Sequence, residues 1–446
     1  DLALRYFEPY LPEDAVVVGT VSARAAFELP RDARLRGELR LETSPGRIGS
    51  RGATALPGLR FAAGRADLSF DGERLGVDVA LPLDRDQGGV EVSGTITTAV
   101  DDAWSASAID ARVRVLLRDL TFVSDLIRGV DQTAGTASMD IGVSGTVAAP
   151  VIAGRIVLDE GRARLRAPGL ELEDVRIELE GDGSGDIRVV GAASSGGGML
   201  AADGLLRLSD SLTVGRLDVR GEDFELFDTP DARVWVSPDL RLDLLPDRLQ
   251  ITGRVTMPRA RFTPRGAIEG AVTVSEDQVI VDAEETRGPA FTRPFYARVE
   301  LTLGDDVQFD GFGLKGRLAG ALEVVEVPQE PVTGSGEVRV ESGTYEAYGQ
   351  TLEVRTGRLL FAGGALSRPG IDIEAVRRPA EDILVGARVR GTLARPELSV
   401  FSEPSMPRQE QLSYLLLGRP LERASTSESS ALTQAAVALG LRGGNF

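Results

Sequence analysis

Residues 109–117, Ile-Asp-Ala-Arg-Val-Arg-Val-Leu-Leu, decide the fold. Ile109, Ala111, Val113, Val115 and Leu117 share one side of an extended chain, and Asp110, Arg112 and Arg114 take the other, because successive side chains of a β-strand point to opposite faces. Such a segment reads as a half-buried antiparallel strand. The division recurs at 34–42, where Leu35, Leu39 and Leu41 oppose Arg34, Arg36, Glu38, Arg40 and Glu42. It recurs again with Val175, Ile177 and Leu179 against Arg176, Glu178 and Glu180, and with Val299, Leu301 and Leu303 against Arg298, Glu300 and Thr302. Ile371 and Ile373, then Ile383, Val385, Ala387 and Val389, continue it toward the end.

Turn signals separate these runs: Asp71-Gly72, Glu160-Gly161, Gly181 to Gly185, Asp203-Gly204, Gly304-Asp305, Asp310-Gly311 and Gly363-Gly364. Their spacing predicts a meander of about 30 strands, which at roughly 4.8 Å per strand gives a sheet on the order of 140 Å across. A sheet that long with one apolar face has to turn that face inward, as a closed barrel, a packed pair of sheets or a curled trough. The membrane-barrel solution fits poorly. Barrels carry aromatic girdles, whereas this chain has 2 Trp and 6 Tyr, and its end, LRGGNF, does not alternate.

Composition narrows the function. The chain has 52 glycines in 446 residues, well above the ordinary share of roughly 7%, without collagen periodicity. Its apolar surface is aliphatic, with aromatics at 5%. Cysteine and histidine are both missing, which removes the usual nucleophile–base pairs, thiolate and imidazole zinc sites and the near-neutral base. The net charge of −18, with Lys315 the sole lysine, repels phosphate backbones and disfavours flat adsorption on anionic headgroups. No nucleic-acid partner is expected. Apolar stretches such as Ala15 to Val18 and Ala431 to Leu441 are too short for a bilayer-spanning helix. The chain opens on Asp1 with no signal-peptide pattern and reads as an internal fragment or a processed product.

Weak internal repetition, GTVAAP at 145–150 and GTLARP at 391–396, marks a repeated supersecondary unit with glycine at a bulge or strand entry. Leu2 to Tyr10 and Asp119 to Gly129 have helical spacing, the second through Leu120, Val123, Leu126 and Ile127. After Pro404 and Pro407 the pattern turns helical through Leu412, Leu415 and Leu416, with Gly418 as the stop, and a second helix is predicted over Ser430 to Leu441. The continuous sheet is expected to end near Ser402.

Candidate chemistry is sparse. Gly181, Gly183 and Gly185 lie between strands and open no helix, so they read as a turn and not as a phosphate loop. Asp182 to Asp186 has Ile187 where a calcium loop needs glycine. The pairs Asp101-Asp102, Glu222-Asp223, Glu284-Glu285 and Asp305-Asp306 are adjacent, so on a strand they diverge to opposite faces. No catalytic residue, metal site or cofactor is expected.

ESGTYEAYGQ at 341–350, followed by GRLLFAGG, RPGIDIEAVRRP, VRGTLARPELSVFSEPSM and QLSYLLLGRPL, resembles the C-terminal region of the TamB family. VQFDGFGLKGRLAGAL, Tyr345, Tyr348, Gly349, Gln350, Ser402, Glu403, Pro404, Tyr414 and Gly418 stand in family order, and looser likeness runs upstream toward Asp1. The resemblance implies an AsmA-like, bridge-type lipid transfer architecture: all-β, a long curled and mostly antiparallel sheet forming a hydrophobic trough, with a few short helices and a helical tail. It divides the chain into groove repeats at 1–130, continuous groove at 131–402 and a helical tail at 403–446. It further implies a periplasmic protein anchored at the inner membrane, carrying phospholipid by its acyl chains and partnered by the outer-membrane protein TamA through a segment not found here. The groove lining is then Leu35, Leu39, Leu41, Ile109, Val113, Val115, Leu117, Val175, Ile177, Leu179, Val299, Leu301, Leu303, Ile371, Ile373, Ile383, Val385 and Val389. Two other readings stand beside the conduit. One is a scaffold for outer-membrane and autotransporter protein assembly whose strand edges template incoming strands; the other is a passive spacer with a dry, interlocked interior.

Overall fold

The computed structural model describes residues 2–6, 15–29, 36–50, 59–84, 87–98, 104–126, 129–209, 212–264, 293–347, 350–392 and 395–420. Leu35, Tyr348, Gly349, the pairs at 101–102 and 284–285 and the helix expected at 430–441 lie outside them. By hydrogen-bond connectivity 23 strands belong to one large sheet and three to a small one. The large sheet is mostly antiparallel, and among the described residues no pairing closes it into a barrel.

The chain divides into two compact units. In the first, residues 1–224 with 243–246, consecutive strands pair as a meander from Thr20–Glu28 through Arg36–Thr43, Arg65–Phe70, Arg74–Pro82, Gly88–Thr97 and Ala108–Leu117. It continues through Val130–Gly145, Pro150–Leu165, Leu170–Asp182, Asp186–Ser195, Gly198–Ser209 and Leu212–Glu222. The small sheet joins Ala15–Val18, Gly46–Ser50 and Leu59–Phe61. Val17, Phe61 and Leu83 form its buried cluster, with Leu81 and Leu117 of the meander packed against it.

In the second unit, residues 225–242 with 247–446, Leu249–Phe262 lies parallel to Phe295–Gly311. From there an antiparallel meander runs through Leu314–Glu326, Thr333–Ala347, Gln350–Ala365, Gly370–Ala380, Ile383–Thr392 and Arg395–Glu403.

Twenty-six strands are present among the described residues, several of them longer than the turn signals predicted. Asp203-Gly204 lies inside Gly198–Ser209, and Gly363-Gly364 lies inside Gln350–Ala365. Glu160-Gly161 and Gly304-Asp305 fall at register shifts within continuous strands. Glycine there makes a bulge, which inserts a residue and bends the strand without ending it. Register shifts also flank Gln132 and Asp174, so three adjacent strands carry residues at positive φ, Gln132 at 49°, Glu160 at 53° and Asp174 at 48°, and the sheet is creased along them. Gly154 at φ 149° and Gly320 at φ 141° sit where an added Cβ would stand 2.2 Å from Asp140 O and 2.1 Å from Glu337 O, so only glycine fits.

The helical readings are corrected in part. Leu2–Ala3 is a short strand pairing with Thr20 and Val21. Of the helix expected at 119–129, the described residues show one turn, Val123–Leu126, with Ile127 outside them. The tail helix is Arg408–Leu417, capped by Gly418 in the left-handed conformation.

Outward faces carry cross-strand ion pairs. Arg112 grips Asp140 through two hydrogen bonds of 2.7 Å, Arg207 grips Asp186 at 2.6 and 2.9 Å, and Arg358 holds Glu337 at 2.9 Å on both oxygens. Hydrogen bonds from these arginines hold the Asp140, Asp186 and Glu337 carboxyls below their ordinary pKa. A carboxyl with a lower pKa in the folded chain adds stability above its unfolded pKa of about 4 and loses it as pH falls through the folded value. Because no histidine or cysteine titrates in between, the urea midpoint is expected to stay level from about pH 5 to 9 and to fall below about pH 4. Asp186→Asn is expected to flatten that acid limb, which unfolding curves at a series of pH values would measure.

Candidate functional site

Residues directly opposite each other in a ladder share a face, so the pairing register traces rows across each unit. In the first unit one row runs Ala23, Leu41, Ala66, Val79, Val92, Val113, Ile141, Gly154, Gly181, Ile187, Leu206, Gly215. A second runs Leu81, Val90, Val115, Met139, Ile156, Leu179, Val189, Gly204, Leu217. Neither contains a charged or hydrogen-bonding side chain. Twelve strands at about 4.8 Å spacing make the first row roughly 50 Å long, measured along the sheet.

The described groove candidates of this unit, Leu39, Leu41, Ile109, Val113, Val115, Leu117, Val175, Ile177 and Leu179, lie on this one face. Ala108–Leu117 alternates strictly between exposed and half-buried residues, but no member of either row is fully buried. Ile156 and Ile177 keep 37% and 39% of their surface, whereas a face packed under a second layer would bury such side chains almost completely. Among the described residues the apolar face of this unit is therefore uncovered along the rows, apart from the end where the small sheet packs on Leu81 and Leu117.

In the second unit the row Met257, Leu303, Gly320, Val338, Leu359, Ile371, Gly391 crosses seven strands, and Val255, Leu301, Leu322, Gly336, Phe361 runs beside it. Val299, Leu301, Leu303, Ile371, Ile373 and Val389 share this face. Here the covering differs along its length. Val385 is 0% exposed, enclosed with Leu352, Ala375 and Leu415 and flanked by Ile383, Ala387, Val400 and Tyr414. It lies beneath the tail helix and not along an open face, so an aspartate there would bury its charge. On the opposite face Glu374, 7% exposed, is held by Arg388 and Arg355.

Six of the residues in family order, Gln350, Ser402, Glu403, Pro404, Tyr414 and Gly418, lie around that helix. Ser402, paired with Val385, accepts hydrogen bonds of 3.2 Å from Met406 N and from Gln411 Nε2. Glu403-Pro404 is a cis peptide bond at the turn leading into the helix. Tyr414 packs on the core and its carbonyl accepts from Gly418 N at 3.1 Å, and Gln350 accepts from Arg377. Tyr345 stands apart, 39% exposed on Thr333–Ala347. Arg377 was missed at the sequence level, although the alternation Ile371, Ile373, Ala375 extends to it and places it on the apolar face. Among the described residues no group of three or more His, Cys, Asp or Glu is placed to hold a metal ion, and no helix is long and apolar enough to cross a membrane.

Residues 184–446 match the family described as the TamB C-terminal domain. The Translocation and assembly module subunit TamB of Haemophilus influenzae is 33% identical over 236 residues, which is 50% of this chain. The match spans 18% of that relative's length.

The difference in covering is measurable. Val385→Asp is expected to cost on the order of 3 kcal/mol or more, and Val113→Asp about 1 kcal/mol, by urea unfolding, because only the first buries a charge out of reach of water.

Proposed function

The chain belongs to the TamB family, and from that premise we propose that it is a groove-bearing part of a translocation and assembly module subunit, carrying phospholipid between the inner and outer bacterial membranes along its apolar face. The proposal includes a periplasmic location, anchorage at the inner membrane and partnership with the outer-membrane protein TamA. One observation carries it: in the first unit, apolar rows cross strand after strand without a charged side chain and stay half exposed. A surface of that kind is unfavourable in water, and its lining is aliphatic, suited to hydrocarbon.

Energetics favour a conduit. Exposing two acyl chains of roughly 16 carbons costs on the order of 20 to 25 kcal/mol at about 0.8 kcal/mol per methylene. A continuous aliphatic face removes most of that cost at every point along its length, requires no reacting group and is indifferent to chain position. A dry spacer would need the interlocked interior that the rows of the first unit lack. A scaffold for incoming strands would use the backbone of sheet edges and be insensitive to side chains in mid-sheet.

Val113→Asp, Val115→Asp and Leu301→Asp are expected to lower the phospholipid that copurifies with the protein by about tenfold, while Arg112→Ala and Arg298→Ala on the outward face leave it unchanged. Lipid extraction with phosphate assay reads this. Equal lipid content across both sets would overturn the conduit, and photo-crosslinks in cells from strand edges to unfolded outer-membrane proteins, with none from the rows to lipid, would favour the scaffold.

A further inference from the structure

The apolar face of the strands Gln350–Ala365, Gly370–Ala380, Ile383–Thr392 and Arg395–Glu403 carries one charged side chain by register, Arg377, directly opposite Val385. Its Nη1 donates to Gln350 Oε1 and, at 3.1 Å, to Leu415 O near the C-terminal end of the helix Arg408–Leu417. Among the described residues no carboxylate pairs with it. Neutral carbonyl oxygens satisfy its hydrogen bonds, but the partial negative charge at the helix C-terminus offsets its full charge only in part. Burial accordingly pulls its pKa below the usual arginine value, although the group stays protonated.

The helix presents to this place what a phospholipid would. Leu415 sets branched apolar carbons on Leu352, Ala375 and Val385, as an acyl chain would, and its carbonyl offers an acceptor oxygen to the guanidinium, as a phosphate would. A planar guanidinium fork binds a phosphodiester through two charge-assisted hydrogen bonds and neutralises it, which a carbonyl does not. The helix is also built to let go. It has ten residues and no side-chain cap at its N-terminus, too short to be stable unless docked. Its interface includes Gln411, whose Oε1 is buried without a partner.

We propose that Arg377 with Gln350 is a phosphodiester-recognition point at the covered end of the apolar face, and that the helix Arg408–Leu417 is its intramolecular stand-in, displaced when a phospholipid arrives. This rests on the conduit reading, for which lipid is the cargo. Displacement exchanges Leu415 O for a phosphate oxygen on Arg377 and Leu415 for acyl carbons on Val385. Lipid is then held at this place by its headgroup as well as its chains.

Because the chain has no cysteine, Arg408→Cys on the exposed first turn takes a single nitroxide spin label whose mobility reports docking. Short-chain phosphatidylglycerol is expected to mobilise the label at concentrations about tenfold lower than diacylglycerol of the same chains or inorganic phosphate. Arg377→Gln is expected to raise the phosphatidylglycerol requirement about tenfold, with Arg377→Lys in between. Leu415→Ala, which weakens the stand-in, is expected to lower it about fivefold. A label that stays immobile at saturating phosphatidylglycerol would overturn the proposal. So would an Arg377→Gln variant that behaves like Leu415→Ala, since the arginine would then be only a helix cap, or inorganic phosphate acting as well as the lipid. If these results fail while Val113→Asp still lowers copurified lipid, the conduit stands without this site; if the wild-type protein holds no lipid, the conduit falls with it.

Discussion

Most of the apolar surface of this sheet lies on one side, and in the first unit nothing in the described chain covers that side along its rows. Every other feature follows from how the molecule keeps such a surface continuous without collapsing it into a packed core. Rows through Val79, Val92, Val113 and Ile141, and through Val115, Met139, Ile156 and Leu179, persist across strand after strand because the register holds along them, the bulges at Gln132, Glu160 and Asp174 lying to one side of the rows. A single-residue slip would carry the whole set to the opposite face.

What a second layer does in an ordinary domain is done here within the sheet. Backbone ladders run through strands of up to 17 residues, and the outward face is tied strand to strand by pairs such as Arg112–Asp140 and Arg207–Asp186. Arginine suits this work because its planar fork meets a carboxylate on the neighbouring strand in two bonds at once. Bulges at Gln132, Glu160 and Asp174 bend three adjacent strands together. Glycines such as Gly154 and Gly320 permit the close backbone approach that goes with positive φ.

The apolar surface is closed locally, by two different devices. The small sheet around Phe61 packs on Leu81 and Leu117 in the first unit, and the helix Arg408–Leu417 covers Val385 and Ala375 in the second. The first is an apolar cluster. The second mixes leucine packing with Arg377, Gln350, Ser402 and Gln411, all of which need hydrogen-bond partners. A polar contact set trades strength for selectivity, since each member is satisfied by one arrangement and strained by others. Of the residues that stand in family order, Gln350, Ser402, Glu403, Pro404, Tyr414 and Gly418 gather at this second closure, while Tyr345 and residues 307–322 lie elsewhere in the sheet.

The alternation in Ile109–Leu117 and its echoes was enough to establish a strand-built chain and the assignment of faces, because a period of two is imposed by strand geometry itself. Gly418 as helix stop and Gly181 to Gly185 as a turn were equally legible, since those conformations have local chemical causes. Strand length was not: Asp203-Gly204 and Gly363-Gly364 carry the same letters whether the chain turns or runs straight on, and the partner strand decides between them. Nor could Val113 and Val385 be told apart along the chain, both being inward valines in alternating strands. One faces open space and the other lies under Leu415, a difference set by a helix that follows Val385 by more than 20 residues, and burial of that kind exists only once distant segments have come together.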